Sequence, residues 1–87
     1  MLALTGTIKR IKKVEGTDKN FYDVVLVQKK RNTHISFLVF EEDVIKQIEL
    51  HELKVDDYVE VVFYVKAKEF NDKYYNNLYA IKIYHLK

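Results

Sequence analysis

The stretch "EEDVIKQIELHEL" (residues 41–53) interrupts a chain that otherwise alternates apolar and polar residues. Val44, Ile45 and Ile48 recur at helical spacing, which predicts one short amphipathic helix of about ten residues. Asp43 is the expected N-cap, and the acidic run Glu41–Asp43 suits the positive end of a helix dipole. The position of this helix among the strands decides the architecture.

Upstream, Leu4, Gly6 and Ile8 alternate with Thr5 and Thr7, as in a half-buried strand. The apolar spacing then slips to three at Ile11 and Val14, which predicts a β-bulge and a bend. Gly6 suits a tightly coiled strand or a close backbone approach. A polar turn, "EGTDKN" (15–20), leads to "FYDVVLVQKK" (21–30), whose Val24–Val27 run suggests a strand partly covered on both faces. After the basic turn "KKRNT" (29–33), Ile35, Phe37 and Val39 share one face of a third strand, and Ser36, Leu38 and Phe40 the other.

Downstream, Val59, Val61, Phe63 and Val65 share one face of a fourth strand. "NDK" (71–73) forms a turn, and "YYNNLYAIKIYHL" (74–86) the last strand. With no proline and two glycines, Asn and Asp must supply most of the turn chemistry. Three strands, a helix and two strands describe an all-β chain with one short helix. The expectation is a five-stranded OB-fold barrel, with the long bent first strand serving both sheets. A five-stranded SH3-like barrel is the alternative, but it usually lacks the helix at that point.

Eighty-seven residues allow one small domain, 1–87, with no room for a deep cleft. The absence of cysteine excludes disulfides and thiolate metal sites. Neither a leader-like apolar run nor a membrane-spanning run is seen, so a cytoplasmic protein is the expectation. The net charge of +2 is segregated. Residues 1–35 carry eight basic against three acidic side chains, residues 36–60 two against eight, and residues 61–87 five against two. Basic ends around an acidic middle can present one positive face. His34, His51 and His85 lack ligand spacing, and neither a Gly-rich phosphate loop nor a nucleophile constellation is present. No cofactor, no metal and no enzymatic activity are expected.

"LTGTIKRI" (4–11), "LKVDDYVEVVFYV" (53–65) and "KEFNDKYYNNLYAIKI" (68–83) together resemble small bacterial and phage OB-fold proteins of the Bacteroidetes type. The resemblance covers nearly the whole chain, through short and degenerate motifs. It implies a single-stranded DNA-binding protein, with a phage origin in view. Two departures stand out. Asp56-Asp57 replaces the usual glycine of the tight turn, a conformation aspartate can adopt. The acidic C-terminal tail of cellular single-stranded DNA-binding proteins has no counterpart, which puts recruitment of repair enzymes in doubt and favours a minimal viral protein.

Single-strand binding requires cations along phosphates and flat side chains under bases. The candidate cations are Lys9, Arg10, Lys12 and Lys13 at the bend, Lys29, Lys30 and Arg31 in the second turn, and Lys66, Lys68 and Lys73 around the last hairpin. The candidate rings are Phe21, Tyr22, Phe40, Tyr64, Phe70, Tyr74 and Tyr75, with at most one of Phe21 and Tyr22 facing the core. Phe37 and Phe63 belong to the core, and Tyr58 can lean either way. Asn76 and Asn77 can reach base edges, whereas turn formation accounts better for Asn71. The bland reading is that aromatic residues simply favour strands and charges solvate a sheet.

The expected function is sequence-tolerant coating of single-stranded DNA during replication, across the second and third strands and away from the acidic helix. An RNA-binding module, or an interaction module whose rings bury a homodimer or other protein interface, are the alternatives. No membrane partner is expected.

Overall fold

A computed structural model describes residues 1–16 and 20–87. Its elements are β1 (Leu2–Glu15), β2 (Asn20–Gln28), β3 (Thr33–Val39), α1 (Glu42–Leu50), β4 (Tyr58–Phe70) and β5 (Lys73–His85). The strands close into a barrel in the order β1-β2-β3-β5-β4, with β1 pairing both β2 and β4 and with β3 parallel to β5. A closed five-stranded barrel with a helix between β3 and β4 is the OB topology. The turn expected at residues 15–20 falls largely on 17–19, outside the described residues.

The bend in β1 is a bulge. Its register with β2 shifts between Ile8 and Arg10, so Lys9 is the extra residue. Ahead of the bulge Gly6 is packed tightly against β2. A Cβ there would meet the Leu26 Cβ and the Val27 carbonyl oxygen at 3.1 Å. The bulge is latched by the turn before β4: the Asp56 N–H donates to the Ile8 carbonyl and the Ile8 N–H to the Asp57 carbonyl, both at 2.8 Å. Asp56 holds φ 80°, in the left-handed region that favours glycine and that aspartate tolerates.

The core fills the barrel with Ile8, Val24, Leu26, Phe37, Val39, Val59 and Val61, and Phe37 meets Phe63 edge-on with centroids 5.1 Å apart. Along β2 the burial alternates: Val24 and Leu26 are buried, while Val25 and Val27 are half-buried on the outer face. Val65 continues the inward column of β4 yet is 46% exposed. The pairing of β4 with β1 ends at Phe63, so the remainder of β4 pairs with β5 alone as a two-stranded arm.

The helix seals one end of the barrel through Val44 and Ile48. Its N-cap is Glu41, not Asp43. Glu41 is extended (φ −69°, ψ 128°), and its carbonyl accepts from Val44 and Ile45 N–H, without a side-chain cap. Asp43 sits with Glu42 in the first turn, where its charge meets the dipole. The arm turns at Asn71 (φ 52°) and Asp72 (φ 63°), the paired positive φ of a type I′ hairpin. Among the described residues no helix is long and apolar enough to cross a membrane.

Candidate nucleic-acid interface

One row of residues crosses all five strands on the outer face. Lys12 on β1 pairs with Asp23 on β2, Asp23 with Leu38 on β3, Leu38 with Tyr79 on β5, and Tyr79 with Tyr64 on β4. Because side chains alternate, the neighbours of this row point into the core. Phe63 and Ala80 do so beside Tyr64 and Tyr79, and Phe37 and Val39 beside Leu38.

Four rings form a ladder along this row and its upper edge. Phe21 stacks on Phe40 with centroids 4.6 Å apart and planes at 24°. Phe40 lies 5.9 Å from Tyr79 at a tilt of 40°, and Tyr79 stacks on Tyr64 at 5.3 Å and 20°. The inner rings lend each other their faces. Tyr64, at the open end, is 42% exposed.

Beyond Tyr64 the arm continues the same face. On β4 it carries Lys66, Lys68 and Phe70, paired respectively with Asn77, Tyr75 and Lys73 on β5. These six residues are exposed or, for Asn77, half-buried. On the β1 side the flanking cations are Arg10 and Lys12, both exposed. Arg10 lies 3.6 Å from Asp23, whose other carboxylate oxygen accepts from the Ser36 hydroxyl at 2.9 Å. Cations thus border both ends of a continuous aromatic surface, an arrangement chemically suited to phosphates and stacked bases.

Some sequence candidates lie elsewhere. Of the Phe21–Tyr22 pair, Tyr22 turns inward, packs against the core and donates to Glu49 of the helix at 3.4 Å. Desolvation, and then the Glu49 charge, raise its pKa above the ordinary tyrosine value. Lys13 also faces the helix, with its ammonium 3.8 Å from Glu49, because the bulge at Lys9 turns residue 13 to the inner side, where it pairs with Tyr22. Tyr74 pairs with Glu69 on the underside of the arm, opposite Tyr75. Lys9 is exposed at the bulge, and Lys29, Lys30 and Arg31 line a groove with Tyr58 below the ladder. The acidic helix lies against β5 and the inward side of β1 and β2, away from the ladder.

Tyr79 is the ladder residue that sequence reasoning missed. Its signal was the small Ala80, which reads as an inward position and so sets Tyr79 outward. A register shift between Val62 and Phe63 inserts Ile81 on β5 and obscures the alternation around it.

The fold and this face define an OB barrel with an aromatic outer surface. The chain belongs to the family described as a domain of unknown function, DUF3127, which it matches over residues 3–84. No curated protein and no solved structure matches it significantly.

Proposed function

We propose that the protein binds single-stranded DNA with little sequence preference, as a coating protein of replication, in the cytoplasm of a bacterium and as a phage product. The supporting observation is the ladder Phe21–Phe40–Tyr79–Tyr64, bordered by Arg10 and Lys12 at one end and by Lys66 and Lys68 at the other. The exposed Tyr64 ring at the open end of the ladder can accept any base, and lysines track phosphates without reading sequence. The reading requires no catalytic group and no cofactor.

A second reading has its own observation. The underside of the arm exposes Val65 at 46% and Tyr74 at 69%, and Leu2, paired with Phe63 at the root of the arm, is 56% exposed. This surface suits an interaction module or homodimer. Measuring affinity for a labelled dT oligomer and mass in solution, for Tyr64→Ala on the ladder and Tyr74→Ala on the underside, separates the two. Weaker binding by Tyr64→Ala at constant mass supports the DNA reading, and a changed mass for Tyr74→Ala with no single-strand binding to lose supports the interface. Repeating the titration with an oligo-rU strand separates DNA from RNA preference.

A further inference from the structure

Lys29, Lys30 and Arg31 lie at the opposite end of β2 from Phe21, in a groove of their own. The loop is braced. The Arg31 N–H donates to the Gln28 carbonyl at 3.1 Å, the Asn32 N–H to the Lys29 carbonyl at 3.3 Å, and the Thr33 hydroxyl to the Arg31 carbonyl at 3.1 Å. The Gln28 side-chain amide ties it to the Thr5 carbonyl at 3.1 Å. Across the groove, the Tyr58 hydroxyl donates to the Thr5 hydroxyl at 3.0 Å, which holds its ring in place while the residue stays 38% exposed. Among the described residues none of the three cations forms an ion pair.

This groove and the ladder share one outward column. Phe21, Asp23, Val25 and Val27 alternate with the inward Val24 and Leu26 along β2, and Val27 lines the groove. Val27 lies six residue steps along the strand from Phe21, about 20 Å at the usual rise. We propose that the groove is a second subsite for the same nucleic-acid strand, with phosphates on Lys29, Lys30 and Arg31 and one base on Tyr58. The strand crosses the ladder, runs down β2 and ends in the groove. This rests on the proposed DNA-binding function and extends it to a footprint longer than the ladder.

The separation makes the proposal testable by length. At about 0.1–0.15 M salt the Debye length is about 8–10 Å, shorter than the gap, so the groove barely acts on a strand confined to the ladder. Binding of labelled dT oligomers, from roughly 6 to roughly 24 nucleotides to bracket the site size of one OB barrel, should be compared for the unmodified protein, a Lys29→Ala/Lys30→Ala/Arg31→Ala variant and Tyr58→Leu. The loop variant is expected to match the unmodified protein on the shortest oligomers that bind. On long ones it should lose at least tenfold, with a salt slope shallower by about 2, as three phosphate contacts imply. Tyr58→Leu should lose affinity for long oligomers alone. Equal losses at every length, or none at any length, would overturn the second subsite and leave the ladder reading standing. Failure of the unmodified protein to bind any oligomer would overturn both. Thermal unfolding of each variant confirms that the barrel is intact.

Discussion

Tyr74 and Tyr75 are neighbours in sequence and face opposite sides of the arm. Tyr75 pairs with Lys68 on the face that continues the ladder, and Tyr74 pairs with Glu69 on the underside. Both are exposed, at 53% and 69%. Tyr75→Ala is therefore expected to weaken single-strand binding by about 1–3 kcal/mol, the usual worth of one stacked base. Tyr74→Ala should leave affinity unchanged and alter any self-association. Titration and sizing of the two variants side by side check this, and equal effects on affinity would contradict the assignment of faces.

The two borders of the ladder carry cations on different strands. Lys12 belongs to β1, and Lys66 to the root of the arm. The double variant Lys12→Glu/Lys66→Glu should bind more weakly and flatten the salt dependence by about 1.4, at 0.7 per lost phosphate contact. An unchanged slope would show that these lysines do not meet the strand.

Gly6 tests the packing of the barrel rather than the interface. An added methyl would press on the Val27 carbonyl, which is backbone and cannot swing aside. Gly6→Ala is expected to destabilise the fold by about 1–3 kcal/mol, as overpacking typically does. Urea unfolding measures it.

Tyr22 carries the raised pKa, through burial first and Glu49 second. Its folded-state pKa lies above its unfolded value, so the neutral form is favoured in the fold. The associated stability is complete below the unfolded tyrosine pKa and is lost as pH rises through the folded one. Ultraviolet titration should show a tyrosine ionising above the ordinary tyrosine range, and Tyr22→Phe should remove that late step.

Much of the barrel was legible because its alternation is strict where strands are covered. Val24 and Leu26, Phe37 and Val39, and Val59 and Val61 each mark one inward column, and the helical spacing of Val44 and Ile48 fixes the interruption. The slip after Ile8 announced the bulge. The candidate interface was legible in part. Phe40 and Tyr64 follow from the alternation beside Phe37 and Phe63. Lys13 did not, because an extra residue at Lys9 reverses the faces beyond it. Tyr79 was hidden by the extra residue on β5, and the union of Phe21 with Phe40 depends on strand ends that no local pattern specifies. Asp43 attracted the cap assignment by residue type, whereas backbone conformation places the cap at Glu41.

The most direct test of the central claim is fluorescence anisotropy of a labelled dT oligomer, single-stranded and in duplex with dA, titrated with the protein from low to moderate salt. The ladder predicts salt-sensitive binding to the single strand and much weaker binding to the duplex, whose bases are already stacked. Equal binding to both forms, or none to the single strand at low salt, would contradict it.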